Sequence, residues 1–305
     1  HRPRRARGFI DRGGRLMGAA NPSTRDILML VSLACGAGCG DDRALASVSR
    51  ELDADVPPVA DGPWARPAAT TTWQWQLTGA LNLAYEVEVY DVDLFDTPSA
   101  TIDELHAAGR LVLCYFSAGS SESWRPDFDT IDSQALGEPL DGWPGERWLD
   151  IRAQSAVDLA RTRLDLARDK GCDGVEPDNV DGYTNDTGFD LHARDQLAFN
   201  KLVANEAHER DLFVALKNDL DQVAALLDYF DLSVNEQCHL YDECALLAPF
   251  LDAGKPVFNA EYAGSVGAAE TLATGICPVS LSAHLRTLIL PEELDDAFRV
   301  SCDSP

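Results

Sequence analysis

Residues 174–183 read Gly-Val-Glu-Pro-Asp-Asn-Val-Asp-Gly-Tyr, placing Glu176, Asp178, Asn179 and Asp181, all able to bind or move protons, in one short stretch. Pro177 cannot donate to a central sheet ladder, so the stretch reads as the end of a strand opening into an acidic turn. Alternate residues of a strand share a face, which turns Glu176 and Asp178 the same way. Two carboxylates so placed can be an acid/base pair, a cation site, or capping groups for the helix that follows.

The elements that must position these groups follow from the pattern around them. From Thr70 onward strand-like and helix-like segments alternate. The strand candidates are Thr72–Leu77, Glu86–Val92, Leu111–Ser117, Arg147–Ile151, Gly174–Asp178, Leu212–Lys217, Phe230–Glu236 and Pro256–Tyr262, with Leu285–Leu290 as a ninth. Helical segments are expected over Ser99–Ala108, Gln154–Lys170, His192–Arg210, Leu220–Tyr229 and Asp242–Ala253. Such alternation predicts an α/β protein, a (β/α)8 TIM-like barrel with a single catalytic domain. Nine candidates compete for eight places. A doubly wound open sheet is the alternative, but no Gly-rich phosphate turn follows the first strand.

In such a barrel the chemistry sits at the C-terminal strand ends. Those ends carry Trp73, Trp75 and Gln76; Asp91 and Asp93; Tyr115 and Ser117; Asp150; Glu176, Asp178 and Asn179; Lys217, Asn218 and Asp219; Asn235 and Glu236; and Glu261 and Tyr262. Nearly every strand thus ends in a carboxylate, an amide or an aromatic ring, the lining of a polar cleft with stacking surfaces. Metal-dependent barrel hydrolases lean on histidine. The six here, His1, His106, His192, His208, His239 and His284, form no metal-binding pattern. No nucleotide, flavin or nucleophile-elbow motif is present, and neither cofactor nor metal is expected; a hard cation on carboxylate oxygens is the remaining metal reading. What is left is chemistry by carboxylates beside Trp and Tyr, which is what glycoside hydrolysis requires: one carboxyl protonates the leaving oxygen and a second attacks or activates water.

Six segments carry a family likeness: Trp-Gln-Trp-Gln-Leu (73–77), Cys-Tyr-Phe-Ser-Ala-Gly-Ser (114–120), Trp-Arg-Pro-Asp (124–127), Gly-Cys-Asp-Gly-Val-Glu-Pro-Asp-Asn-Val-Asp-Gly-Tyr (171–183), Leu-Lys-Asn (216–218) and Asn-Glu-Gln-Cys (235–238). In order and spacing, from Trp73 to Tyr262, the sequence resembles glycoside hydrolase family 114, the endo-α-1,4-polygalactosaminidases. The resemblance implies a (β/α)8 barrel that cleaves α-1,4-linked galactosamine polymer, with Asp178 and Glu236 as catalytic carboxylates. Ser121 departs from the pattern, where an aromatic residue is expected. On this reading Glu236 is the general acid/base and Asp178 the nucleophile or positioning carboxylate. Trp75, Asp91, Asp93, Tyr115, Asp150, Glu176, Asn179, Asp181, Tyr183, Lys217, Asn218 and Glu261 are expected to bind substrate. The rival is a non-catalytic acidic barrel that binds cationic polysaccharide.

The formal net charge is −26, although residues 1–38 are arginine-rich. Such a surface disfavours nucleic acid and attracts cations, among them amino sugars that lack the acetyl group. Ile27–Ala37 reads as a signal-peptide apolar run, and Cys39 after small residues resembles a lipoprotein site, with Cys35 competing. Residues 1–39 are therefore expected to be an extension and export signal, giving a secreted or lipid-anchored protein at a bacterial cell envelope. Residues 40–70, rich in Pro and Ala, are expected to be a linker, and 71–305 the barrel. In an exported chain the cysteines call for disulfides. Cys238 with Cys244 and Cys277 with Cys302 are the expected pairs, while Cys114 and Cys172 are either bonded or small buried residues.

Overall fold

The computed structural model describes residues 52–303. In chain order the elements are β1 (Trp73–Gln76), β2 (Val89–Asp93), α1 (Ser99–Ala107), β3 (Leu111–Ser117), β4 (Ser120–Glu122), β5 (Leu136–Pro139), β6 (Glu146–Leu149), α2 (Gln154–Lys170), β7 (Gly174–Asp178), α3 (Ala193–His208), β8 (Phe213–Lys217), α4 (Val223–Leu226), β9 (Leu232–Glu236), α5 (Ala248–Asp252), β10 (Val257–Tyr262), α6 (Val266–Ser282), β11 (Arg286–Leu290) and β12 (Val300–Ser301).

β1, β2, β3, β7, β8, β9, β10 and β11 are neighbours in that order and all parallel, forming the wall of a (β/α)8 TIM-like barrel; β12 adds antiparallel to β11. Side chains and a loop bridge the seam between β11 and β1. Trp73 Nε1 donates to Arg286 O at 2.8 Å, and Leu77 N and Thr78 N donate to Leu294 O.

Strand alternation builds two cores. Trp73, Trp75, Val89, Leu113, Phe213, Ala215, Val234, Phe258, Ala260 and Leu288 fill the barrel interior, with Trp73 stacked on Phe258 at 4.7 Å. The alternate residues, among them Val92, Val112, Cys114, Val175, Val214 and Leu216, meet the helices outside. Each large apolar side chain so buried contributes roughly 1.5–3 kcal/mol. Gly174 is needed on the inner face, since a Cβ there would lie 2.4 Å from the Phe213 ring.

The structure corrects the expected strand list. Arg147–Ile151 is not the fourth barrel strand, which is β7; most of it lies in β6, which joins β4 and β5 in a small antiparallel sheet inserted between β3 and α2. Leu285–Leu290 supplies the eighth strand as β11. The burial explains the exchange. Along β6, Glu146 and Trp148 are buried and Arg147 exposed, as in a sheet with one wet face, whereas Thr287–Leu290 is buried without a break, as a parallel strand covered on both sides must be. α6 was not among the expected helices because Gly267, Gly275 and Pro278 are poor helix formers. The helices expected over 220–229 and 242–253 shorten to α4 and α5, each preceded by a 3₁₀ turn.

The expected linker is corrected in part as well. Residues 52–69 form a strap against the barrel, with Ala54 and Trp64 buried. Trp64 stacks on His208 at 4.1 Å and donates to Asp231 Oδ1, and His208 Nε2 meets Asp231 Oδ2 at 2.9 Å. Val59 N donates to Asn205, Asn205 and Lys201 donate to Pro57 O and Ala54 O, and Tyr229 OH to Val56 O. An irregular strap held by hydrogen bonds has no apolar period to betray it. The export signal, Cys35 and Cys39 lie outside the described residues.

Candidate active site

The tips of β7, β8 and β9 bring Asp178, Lys217 and Glu236 together. In each case the next residue, Asn179, Asn218 or Gln237, has a left-handed backbone with φ of 61°, 51° and 60°. This conformation turns the chain off the barrel directly after the functional residue, and Asn tolerates it better than most residues do. At the neighbouring tip of β3, Gly119 lies against the Asn179 carbonyl so closely that a Cβ there would fall 1.8 Å from its oxygen.

Lys217 is the hub. Its buried ammonium donates to Glu176 Oε1 at 2.8 Å and lies 3.4 Å from Asp178 Oδ1 and 3.8 Å from Glu236 Oε2. It also sits over the Trp75 ring at 4.7 Å and the Tyr115 ring at 5.5 Å. Burial would strip its proton, but Asp178, Glu176 and Glu236 outweigh that and hold its pKa above the ordinary lysine value. Because Asp178 and Glu236 touch one ammonium, their facing oxygens cannot be farther apart than 3.4 and 3.8 Å laid end to end. That limit lies inside the span of about 5–9.5 Å over which paired carboxylates cleave glycosides. No wall separates them, and both keep some solvent exposure at the rim.

Each carboxylate has its own donors. Tyr115 OH donates to Asp178 Oδ2 at 3.0 Å. Tyr262 OH donates to Glu236 Oε1 at 2.6 Å and Asn218 Nδ2 to Oε2 at 3.1 Å, while Asn218 Oδ1 accepts from the Glu236 backbone N–H. Burial, with the charge of Asp178, pushes the Tyr115 phenol well above its usual range, so it remains a donor. Beyond Gln237 the chain is closed by the Cys238–Cys244 disulfide, one of three among the described residues with Cys114–Cys172 and Cys277–Cys302. Cys238, His239 and Cys244 are the only compact group of candidate metal ligands among the described residues, and both sulfurs are spent in that disulfide.

Of the residues expected to bind substrate, Tyr115, Lys217 and Asn218 gather around the pair, and Asn179 flanks it, donating to Ser117 and Ser120. Trp75, Asp91 and Glu176 lie beneath the pair and are too buried to touch a sugar. The remaining expected residues are engaged elsewhere. Arg125 grips Asp93 through both carboxyl oxygens, at 2.5 and 3.1 Å. Arg152 does the same to Asp150. Asp181 accepts from Asn185 in its own turn. Tyr183 donates to Asp219. Glu261 faces outward and accepts from His239 N. Ser121, the departure from the family pattern, is buried in β4 and donates to Arg147 O.

Sequence reasoning missed Tyr262 as a partner of Glu236 because Glu261, one residue earlier, drew the assignment. Strand parity holds the missing signal: Phe258 and Ala260 fill the interior, so Tyr262 must share their face. It also missed Glu146 of β6, which accepts from Ser120 Oγ at 2.8 Å beside Asn179; burial pushes Glu146 up to about 7.

Comparison with known proteins bears on this arrangement. Over residues 54–305 the chain matches the model of glycoside-hydrolase family GH114. Ega3 of Aspergillus fumigatus, solved in complex with galactosamine, is 43% identical; the alignment covers 78% of this chain and 97% of that one, with a TM-score of 0.74. The glycoside hydrolase domain of PelA from Pseudomonas aeruginosa shares the fold at 12% identity, covering 75% and 98% of the two chains, with a TM-score of 0.61. No curated protein sequence matches the chain. A barrel whose strand tips hold two carboxylates on one lysine, matched by a family model over almost all its described length, is a glycoside hydrolase, and the chain belongs to family GH114.

Proposed function

We propose that the protein cleaves internal α-1,4 linkages of a galactosamine-containing polysaccharide, with Glu236 as general acid/base and Asp178 as nucleophile. The observation that carries this reading is the pairing of Asp178 and Glu236 across Lys217 in an open barrel mouth. Lys217 stands nearer Asp178 than Glu236, and Tyr115 donates to Asp178 from the other side, which suits a carboxylate held in line for attack. Glu236, with Tyr262 and Asn218 on its oxygens, is placed to deliver and recover a proton at the leaving oxygen.

The likeness to Ega3, solved with galactosamine, supports an amino sugar as the ring bound between them. An acidic chain of net charge −26 attracts such a cationic polymer. The three disulfides support the further reading that the protein is exported to an oxidising compartment. The lipid tether at Cys39 rests on the sequence motif alone.

The test is a size-resolved product assay on partly deacetylated polygalactosamine. Internal cleavage yields a ladder of oligomers from the first minutes. Asp178→Asn and Glu236→Gln should each lower turnover by roughly 10²-fold or more while polymer binding persists. Wild-type turnover in both variants would remove the pair from the chemistry, and binding without any turnover by the native protein would leave a lectin-like barrel instead.

A further inference from the structure

Below the pair, the barrel interior holds two more carboxyl groups with no exposure at all, Asp91 on β2 and Glu176 on β7. Glu176 commits Oε1 to Lys217, but its Oε2 receives no donor among the described residues, and neither oxygen of Asp91 receives one. Leaving such groups bare in a protein interior is costly. The two are, however, within hydrogen-bonding reach of each other. Two ionised carboxylates cannot make that contact; a carboxylic acid and a carboxylate can, because one proton between them supplies the donor.

Which group owns the proton follows from the surroundings. The charged and titratable groups facing Asp91 are Glu176 and Asp178 of β7, which disfavour its charge, and Lys217 of β8, already bound to Glu176. β1 offers Asp91 its cross-strand neighbour Trp75, and β3 offers Leu113, neither of them charged. Glu176 faces Lys217 at 2.8 Å, Asp178 beside it on β7, and Tyr115 on β3. The ammonium therefore holds the negative charge on Glu176, and the proton falls to Asp91.

We propose that Asp91 is a positioning residue carrying a resident proton, which it donates to Glu176, so that Lys217 serves one carboxylate below and stays available to Asp178 and Glu236 above. This inference rests on the reading of Asp178 and Glu236 as the catalytic pair. Burial raises the proton affinity of both members, Asp91 well above the carboxylate range, while the Lys217 ammonium pulls that of Glu176 back down, in keeping with the assignment. Were Asp91 ionised, two buried anions would compete for the ammonium and draw it down from the pair. No proton leaves this contact during the reaction; it sets where Lys217 stands.

The test has two independent arms. Infrared difference spectra of the folded wild-type protein against Asp91→Asn, taken at neutral pH, should show the carbonyl band of one protonated carboxyl group that the variant lacks. If that band is absent, the resident proton does not exist. The second arm is kinetic. Asp91→Leu removes the donor and should lower kcat by roughly 10-fold or more with KM little changed, and shift the alkaline limb of the kcat/KM profile. Asp91→Asn, whose amide donates in the same place, should recover most of that loss and restore the limb. Equal loss in both variants would overturn the positioning role. Should Asp91→Leu fail to fold, the infrared band and the Asn profile against wild type still decide. Asp178→Asn and Glu236→Gln are run alongside. If they retain turnover, the pair is wrong and the positioning role falls with it, whereas the band reports on the proton by itself.

Discussion

The place of Lys217, Asp178 and Glu236 at strand ends was legible from residue types, because a parallel barrel offers its chemistry only there, but it was the family resemblance that singled out Asp178 and Glu236 from the other carboxylates. What lay under them was not: Asp91 read as a sugar contact, and only the fold shows it without exposure. Asp219, in a left-handed turn next to Asn218, is a comparable case. Its carboxyl accepts from Tyr183 and Asn200, yet burial, with the charge of Asp181, pushes it up to about 8. A carboxyl with its folded pKa raised above the unfolded value of about 3.9 lends stability that is whole below that pH and is lost as pH climbs to the folded value. The Tm of Asp219→Asn minus that of wild type should therefore rise steadily between pH 4 and about 8 and then level off. Whatever constant offset the amide brings, a flat difference across that window would mean the carboxyl titrates normally.

At the scale of elements, periodicity identified the strands that are buried on both faces and failed where a solvated strand imitated one. Arg147–Ile151 carries the β propensity of a barrel strand, but its alternation of Glu146, Arg147 and Trp148 was the mark of the inserted sheet. That sheet is moored by two buried arginines, Arg125 on Glu122 and Asp93, and Arg163 on Glu122, Asp127 and the Ser117 carbonyl. The three disulfides divide by the loops they close, which span 6, 25 and 58 residues in sequence separation. By loop entropy, removing Cys238–Cys244 costs roughly 2 kcal/mol and removing Cys114–Cys172 about 4 kcal/mol. Activity should follow the opposite order. Cys238 lies two residues beyond Glu236, so the Cys238→Ser/Cys244→Ser variant should lose kcat at a temperature where it is still folded, while Cys114→Ser/Cys172→Ser should lose Tm and keep kcat. Denaturation curves set beside turnover on the same samples check this, and a Cys238→Ser/Cys244→Ser variant with full kcat would show that the loop does not orient Glu236.

For the whole molecule, the barrel followed from the alternation of elements, though one of the nine candidate strands falls outside its wall, whereas the strap over 52–69 did not follow, since proline content without apolar period looks the same in a tether and in a docked segment. The strap bears on stability. A chain beginning at Thr70 gives up the buried Trp64 and the hydrogen bonds to Asn205, Lys201, Tyr229 and Asp231. Loss of one buried tryptophan alone costs about 3–5 kcal/mol, so its denaturation midpoint should fall clearly below that of a chain beginning at Leu52. Coincident unfolding curves would make the strap an ornament. The partners of the strap lie far along the chain, at sequence separations of 146 to 173 residues. Contacts of such separation form slowly, because the intervening loop must close before they give anything back. During synthesis the strap therefore emerges without a dock and waits until α3 and the start of β9 have followed it out. A segment made before any barrel strand is among the last to be seated, and until then the floor of the barrel under His208 stands open.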